Sequence, residues 1–203
     1  MMIESPYNTE LMSVADQLSQ GLRLGIIGST AFNGQDSQAI CIAVGTQLAA
    51  LHDLVLITGG VTGVGETIGR AFIDARRNCP EQPTAYHLLP HGCRPWDYGV
   101  TLFVGTNMPE RREILARLAS VYLVIEGGGG TAHEAQIAQA QGAIIIPVGR
   151  TGGCAKHIYD QFECPSAKAQ ADWQSLDDHA VSVDQVAAAI RRIVQWLLQH
   201  DGK

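Results

Sequence analysis

Four consecutive glycines, Gly127 to Gly130, stand between a run of strand-forming residues and a helix-forming segment. Glycine offers no side chain to a ligand and loses more conformational freedom on folding than any other residue, so a run of four needs a reason. A bare backbone lets a ligand approach the main-chain N–H groups, and the start of a helix favours negative charge. The run therefore predicts a phosphate cradle, because an ordinary turn needs only about one or two glycines.

Thr131 and Glu134 follow the glycine run with the spacing of a capping box. In that arrangement the hydroxyl and the carboxylate satisfy backbone N–H groups at the start of a helix. The alternative is that Glu134 is a catalytic carboxylate. Both interpretations place the carboxylate beside the glycines at a helix start, and the residues alone leave the choice open.

Two other glycine-rich turns follow apolar segments. The first, GIIGSTA, contains Gly28 and Ser29, and the second, TGGVTGVGE, contains Gly59, Gly60 and Gly63. The first does not match G-x-G-x-x-G, and the second lacks the Lys-Ser/Thr pair of a P-loop, so ATP hydrolysis by that route is not expected. Because such turns meet at the carboxyl ends of the strands in an open α/β sheet, three together predict a phosphorylated, nucleotide-like small molecule as ligand.

Apolar segments alternate with segments of helical spacing along the chain. The segments typical of buried parallel strands are 22–28, 54–60, 84–90, 121–127 and 143–149, with 101–105 as a further candidate. Helical spacing is found at 37–52, 65–77, 109–119, 131–141 and 182–199. The alternation predicts a doubly wound α/β fold, a mostly parallel sheet with helices on both faces, as one domain over 1–203. We expect its core at about 22–162, an irregular surface segment at 163–180, and an amphipathic helix at 182–199 that packs on the sheet or on a second subunit.

The overall composition is that of a globular protein with an acidic balance. The net charge of -6 over 203 residues argues against duplex nucleic acid as the main partner. The five cysteines have no C-x-x-C spacing and the seven histidines no metal-binding motif, so neither a disulfide framework nor a metal is expected. No signal peptide and no apolar run of about 20 residues is present in the sequence, so we expect a cytoplasmic protein without a membrane partner.

The combined motifs resemble those of a known family. GGGGTAHE resembles the G-G-x-G-T-x-x-E signature of the LOG-like proteins, which are often mislabelled lysine decarboxylases and belong to the wider SLOG superfamily. NMPERREIL at 107–115 is similar to their M-H-x-R-K element, and the two other glycine turns are similar to theirs. The resemblance covers about residues 22–150. It implies a Rossmann-like fold that binds a nucleotide or related phosphate ester without a cofactor, usually as a homodimer or larger homo-oligomer.

The resemblance also implies a reaction and the residues that perform it. The LOG enzymes split cytokinin-type nucleoside 5'-monophosphates into base and ribose 5-phosphate, and by position Arg111 and Glu134 would be the catalytic pair. A fixed carboxylate can stabilise the positive charge that develops on the ribose while it orients water. The alternative for Arg111 is a solvated helix charge like the neighbouring Arg112. The expected ligand-binding residues are Gly28, Ser29, Gly59, Gly60, Gly63, Gly127, Gly128, Gly129, Gly130 and Thr131.

A second function stays open beside the hydrolase. Glu126 stands where the enzymes usually have Pro, and a carboxylate near a phosphate repels it unless it is turned away or paired. Other branches of the superfamily bind without catalysis, so the alternative is a carrier or sensor of a nucleotide or of molybdenum cofactor. Trp96 and Tyr98 either stack on the ligand or pack their own loop, and Arg150 and Lys156 are further candidates for anion contacts.

Overall fold

The structure is a computed structural model that describes residues 6–76 and 85–200. The strands are β1 (Leu22–Gly28), β2 (Leu54–Thr58), β3 (Ala85–Leu89), β4 (Val100–Phe103), β5 (Val121–Ile125) and β6 (Ile144–Val148). The helices are α1 (Asn8–Ala15), α2 (Ser37–Leu48), α3 (Val64–Ala75), α4 (Met108–Leu115), α5 (Gly129–Ala140), α6 (Gly153–Tyr159), α7 (Gln170–Ser175) and α8 (Val183–His200). Short 3₁₀ turns lie at Gly149–Thr151 and Ala167–Ala169.

The strands form one sheet in the order β4-β3-β2-β1-β5-β6. Every strand pair within the described residues is parallel. The chain lays down β1 to β4 in one direction, returns to the free side of β1 with β5, and continues outward with β6. This reversal between β1 and β5 is the topological switch point, where the connecting helices diverge and leave a crevice beyond the carboxyl ends of the strands. The predicted doubly wound, Rossmann-like α/β fold is confirmed.

Each strand contributes side chains to two hydrophobic cores, one on each face of the sheet. On β5, Val121, Leu123 and Ile125 point to the first core, which is covered by α2, α3, α7 and α8. Tyr122 and Val124 point to the second core, which is covered by α1, α4, α5 and α6. All five side chains are buried, as the unbroken apolar run predicts for a strand covered on both faces.

Tyr122 joins the sheet to the helix that carries the candidate catalytic arginine. Its ring packs against Gly25 on β1, where a Cβ atom would lie only 2.3 Å from the ring, so the neighbouring strand must have glycine there. The hydroxyl donates a hydrogen bond to the Leu115 carbonyl at 2.7 Å and accepts one from the Ala119 N–H at 3.0 Å. These bonds fix the end of α4 against the sheet.

Helix α8 packs within its own chain. Val186, Ile190, Ile193 and Leu197 are buried in the first core, beside Leu48 of α2. Of the two interpretations of the amphipathic segment 182–199, the structure therefore supports packing against the body of the same chain.

Some parts of the fold differ from the expectation. Helices α1 and α6 were not predicted, and α7 lies in 163–180, which was expected to be irregular. The order in that segment comes from Trp173, which is buried in the first core and stacks on Tyr159 with 5.8 Å between ring centroids. Arg77 and Thr84, the outer residues of a predicted helix and a predicted strand, lie outside the described residues.

Candidate functional site

A cavity of about 220 Å³ lies at the carboxyl ends of β1, β2 and β5. The turns after these strands, helix α4 and the start of α5 form its walls. The lining residues are Ile26, Ile27, Gly28, Ser29, Thr30, Gly59, Val61, Gly65, Met108, Arg111, Arg112, Leu115, Gly128, Gly130, Thr131 and Glu134. The fold thus brings the three glycine turns together at the switch point, where an open α/β sheet binds its ligands.

The turn after β5 exposes backbone N–H groups to this cavity. Gly128 is the N-cap residue of α5 and has no side chain that could cap the helix. The first intrahelical bond runs from the Ala132 N–H to the Gly128 carbonyl, so the N–H groups of Gly129, Gly130 and Thr131 have no acceptor within the helix. A Cβ atom at Gly128 or Gly129 would meet nothing within 4 Å. The arrangement suits an anion.

The capping-box interpretation of Thr131 and Glu134 is wrong. Helix α5 begins at Gly129, two residues before the predicted start, so Thr131 is inside the helix and cannot be its N-cap residue. The Thr131 hydroxyl instead donates to the Gly28 carbonyl at 3.1 Å, which ties α5 to the end of β1. The Glu134 carboxylate accepts a hydrogen bond from Arg111. Both side chains therefore make contacts between elements that are distant in sequence.

Arg111 and Glu134 form a buried ion pair at the base of the cavity. Nη1 of Arg111 lies 3.1 Å from Oε1 of Glu134, and the two side chains are 3% and 8% exposed. Burial lowers the pKa of Arg111 and raises the pKa of Glu134, and their mutual attraction opposes both shifts. Nε of Arg111 is buried without a hydrogen-bond partner within the described residues. Gly59 makes room for the guanidinium, since a Cβ atom there would lie 2.5 Å from Nη1.

Arg112 is a half-buried cation beside the exposed amides. A Cβ atom on Gly130 would lie 3.2 Å from its guanidinium, so the side chain lies across the first turn of α5. In the part of the chain that the structure describes, this guanidinium makes neither an ion pair nor a hydrogen bond. Arg112 was not predicted to contact the ligand, although it occupies the basic last position of the M-H-x-R-K element. A free cation next to open N–H groups is a second reason to expect an anion here.

In the turn after β2, Gly60 and Gly63 differ from these open glycines, because their backbones are paired or packed against other backbone. The Gly60 N–H donates to the Thr58 hydroxyl at 3.2 Å, and the Gly60 carbonyl accepts from Nε1 of Trp96 at 2.8 Å. Gly63 has φ +86°, and a Cβ atom there would lie 2.4 Å from the Ser29 carbonyl oxygen. These glycines allow close packing of two turns.

A buried histidine supports the same turn. Nδ1 of His87 lies 2.9 Å from the Thr58 hydroxyl, and Nε2 lies 3.0 Å from the Tyr98 carbonyl oxygen. Because a carbonyl can only accept, Nε2 carries the proton and Nδ1 accepts from Thr58. Burial lowers the pKa of His87 from 6.5 to about 4, so the ring is neutral near pH 7.

The predicted ligand-binding residues divide into two groups. The cavity is lined by Gly28, Ser29, Gly59, Gly128, Gly130 and Thr131, together with Arg111 and Glu134. The other four, Gly60, Gly63, Gly127 and Gly129, do not line it. Gly127 turns the chain, with φ +97°, and its carbonyl accepts from the Cys154 N–H at 2.8 Å. Gly129 lies at the exposed start of α5 and contributes a backbone N–H group.

Glu126 is turned away from the cavity and paired. Its carboxylate accepts hydrogen bonds from the N–H groups of Asn33 at 3.0 Å and Gly34 at 2.7 Å, and the side chain is buried. Its own N–H donates to the Thr151 hydroxyl at 2.9 Å, and its φ of +51° is unusual for a residue other than glycine. The carboxylate thus holds the loop between β1 and α2, and the expected repulsion of a phosphate does not arise.

Trp96 and Tyr98 pack their own loop and do not line the cavity. The Arg70 guanidinium lies 4.4 Å from the Tyr98 ring centroid and 5.4 Å from that of Trp96. The Tyr98 ring also packs on His87, with 4.3 Å between centroids. Of the two interpretations of this aromatic loop, the structure supports packing.

Arg150 and Lys156 are engaged elsewhere. Arg150 donates to Asp36 at 3.2 Å and to backbone carbonyls of the 178–181 segment. Lys156 pairs with Asp160 at 2.6 Å and with Asp177 at 2.9 Å. Neither residue lines the cavity, so the suggestion that they contact the ligand is wrong for this conformation.

No group of His, Cys, Asp and Glu side chains within 6–76 and 85–200 is arranged to hold a metal ion. Across the same residues, none of the helices combines the length and the hydrophobicity needed to span a membrane.

The doubly wound sheet, with glycine turns and a cavity at its switch point, defines a Rossmann-like protein of the ligand-binding type. The chain belongs to the SLOG cluster4 family, whose model matches residues 21–176. This assignment confirms the predicted relationship to the SLOG superfamily. A comparison with curated proteins found no significant match.

Solved structures share the fold at low sequence identity. The structural-genomics target TM1055 is 25% identical, with a TM-score of 0.58, over 68% of this chain and 81% of that one. The molybdenum cofactor carrier protein from Chlamydomonas reinhardtii is 19% identical, with a TM-score of 0.58, over 88% of this chain and 100% of that one. DNA processing protein A from Helicobacter pylori, which binds single-stranded DNA, is 12% identical, with a TM-score of 0.52, over 91% of this chain and 84% of that one.

Proposed function

We propose that the chain binds a phosphorylated, nucleotide-like small molecule in the cavity between the ends of β1 and β5. The observation that carries the proposal is the meeting of the open N–H groups of Gly130 and Thr131 with the unpaired guanidinium of Arg112 at one wall of the cavity. The partial positive charge of the α5 N-terminus and the charge of Arg112 act on the same space. A phosphate monoester has the oxygens and the charge that both groups need.

We further propose that the bound ligand is hydrolysed at its N-glycosidic bond, as in the LOG enzymes that the motifs resemble. Water adds to the sugar carbon while the bond to the base breaks, and the base leaves with the bonding electron pair. Glu134 stabilises the positive charge that develops on the sugar and accepts the proton of the attacking water. Arg111 orients this carboxylate and favours its ionised form against the effect of burial.

The second candidate function is a non-catalytic carrier or sensor of a nucleotide or of molybdenum cofactor. Two observations favour it. Glu134 is the single carboxylate among the described residues that line the cavity, and it is already paired with Arg111, whereas glycoside hydrolysis usually uses two carboxyl groups. The chain also aligns over the full length of a molybdenum cofactor carrier protein.

The two functions are separated by incubating the purified chain with AMP and measuring free adenine. The hydrolase proposal expects adenine release by the wild type and a loss of at least about 100-fold in Glu134→Gln. The matched control is Glu113→Gln on α4, whose carboxylate pairs with Arg117 just past the end of that helix and does not line the cavity. If no adenine forms but AMP or molybdenum cofactor raises the melting temperature, the carrier function replaces the hydrolase.

Three further expectations concern the assembly, the location and the partners of the protein. We propose that the chain forms a homo-oligomer, a dimer or larger, that it resides in the cytoplasm, and that nucleic acid is not its main partner because its net charge is -6. Light scattering during gel filtration tests the first, and binding of a fluorescent oligonucleotide at low salt tests the last.

A further inference from the structure

We infer that the cavity recognises the sugar-phosphate part of its ligand and does not discriminate between bases. This inference rests on the proposed binding of a phosphorylated, nucleotide-like molecule, and it names the part of that molecule on which affinity depends. The anion-binding wall of the cavity is formed by the start of α5, Arg112 and the turn after β1.

The anion-binding wall has several hydrogen-bond donors that no group of the described residues accepts. Besides Gly130 and Thr131 at the start of α5 and Arg112, the hydroxyl-bearing residues Ser29 and Thr30 line the cavity. Within the described residues neither hydroxyl makes a hydrogen bond. Arg111 also lines the cavity, and its Nε is buried without a hydrogen-bond partner among the described residues. These donors can serve phosphate oxygens and sugar hydroxyls, both of which accept hydrogen bonds.

The cavity is small for a whole nucleotide. Its volume of about 220 Å³ lies below the range of about 300–1,000 Å³ at which pockets enclose most of a drug-sized ligand. The Arg111–Glu134 pair and the apolar side chains of Ile27 and Leu115 occupy the space beneath it. With a phosphate at the start of α5, the sugar reaches the Arg111–Glu134 pair and the base extends toward the open side.

Among the described residues, the lining contains no aromatic ring on which a base could stack. Trp96 donates to the Gly60 carbonyl, and Tyr98 lies under the Arg70 guanidinium. Tyr122 is buried with its hydroxyl bonded to Leu115. Stacking on an aromatic side chain strengthens the binding of any base. The described lining residues cannot contribute to affinity in this way.

The side-chain amides next to the cavity are also occupied. The side-chain NH₂ group of Asn33 donates hydrogen bonds to the Ala31 carbonyl and to the Glu126 carboxylate. The Asn107 side chain accepts from the Glu110 N–H and donates to Thr106 as the N-cap of α4. Asn and Gln amides distinguish bases by paired hydrogen bonds, and none lies among the described lining residues. The lining therefore offers neither a stacking ring nor a paired amide that would favour one base over another.

The test is isothermal titration of the full chain with inorganic phosphate, ribose 5-phosphate, AMP, GMP, CMP, UMP and adenosine. The titrations are repeated with Glu134→Gln, so that turnover does not deplete the nucleotides. We expect ribose 5-phosphate and the four nucleotides to bind within about threefold of one another, and adenosine at least about tenfold more weakly. Arg112→Ala should weaken every phosphorylated ligand by about tenfold, whereas Arg192→Ala, on the exposed side of α8, should change none.

The possible failures are distinguishable. A preference of more than about tenfold for one base over ribose 5-phosphate would overturn this inference and leave the proposed phosphate site standing. If none of the phosphorylated probes binds, the proposed function fails and the inference fails with it. Equal weakening of adenosine and AMP by Arg112→Ala would show that the arginine does not contact the phosphate, and this result also overturns the inference.

Discussion

The glycine turns after β2 and β5 have similar compositions, but Gly60 and Gly63 in the first are closed in by other backbone, whereas Gly128 and Gly129 in the second are open. After β2, Gly60 has both backbone groups paired, and Gly63 packs so closely that a Cβ atom would lie 2.4 Å from the Ser29 carbonyl. After β5, Gly128 and Gly129 have open space where their side chains would be. Glycine in the first turn lets backbone approach backbone, whereas in the second turn it leaves the backbone free to meet a ligand.

The largest change in stability is expected when the Arg111–Glu134 ion pair, next to the turn after β5, is broken. Glu134→Ala leaves the Arg111 guanidinium buried without its partner, so the free energy of unfolding should fall by about 3–5 kcal/mol. Denaturant unfolding measures the loss. The control is Glu113→Ala, which breaks a partly exposed pair with Arg117 and should cost about 0–1 kcal/mol.

An equal small loss in both glutamate variants would mean that the buried pair does not stabilise the site. The double variant Arg111→Met with Glu134→Leu tests whether the unpaired charge causes the loss, because it removes both charges and fills the space with apolar side chains. It should recover most of the stability that Glu134→Ala loses.

The two glycine turns can be compared directly by adding one methyl group to each. Gly63→Ala places a side chain at φ +86° against the Ser29 carbonyl, so the free energy of unfolding should fall by about 2–4 kcal/mol. Gly129→Ala adds its methyl group to open space at a helix start, so stability should change by less than about 0.5 kcal/mol. Thermal and denaturant unfolding measure both. Similar losses at the two positions would contradict the distinction between a packed and an open turn.

The free energy of unfolding should also depend on pH through His87, which supports the turn after β2. Its pKa is about 4 in the folded chain and 6.5 ordinarily, so below pH 6.5 the unfolded chain binds a proton that the folded chain does not. The stability that neutral His87 contributes is therefore complete above pH 6.5 and is lost as the pH falls to about 4, by up to about 3 kcal/mol.

The measurement is the free energy of unfolding of the wild type minus that of His87→Gln, taken from pH 7 to pH 4. This difference isolates His87 from the carboxylates that titrate in the same range. A difference that stays constant over the range would show that His87 is not held neutral beside the β2 turn.

The smallest effect concerns the hydrogen bond from Trp96 to the Gly60 carbonyl. Trp96→Phe removes the donor and should cost about 1–2 kcal/mol of stability. Trp196→Phe is the matched control, because its Nε1 is buried without a partner within the described residues and its removal should cost less. A greater loss at Trp196 than at Trp96 would argue against a role for Trp96 in closing the β2 turn.

The sequence allowed the architecture to be predicted because the relevant signals are local. Apolar runs and helical periodicity depend on neighbouring residues, so six strands and the long helices were placed within a few residues of their observed bounds. Helix α7 was missed, since its order depends on the contact of Trp173 with a distant core. The start of α5 was placed two residues late, because a capping signal competed with a glycine N-cap.

Sequence by itself determined the doubly wound α/β fold, the three glycine turns at one edge of the sheet, and the family relationship that singled out Arg111 and Glu134. Only the tertiary structure decided which glycines are open to a ligand, that Arg112 is unpaired beside Gly130, and that Glu126 is bonded to the β1–α2 loop. The physical reason is that accessibility and pairing are set by groups far apart in the chain. Glu126 and Gly34 meet only because β5 returns to lie beside β1.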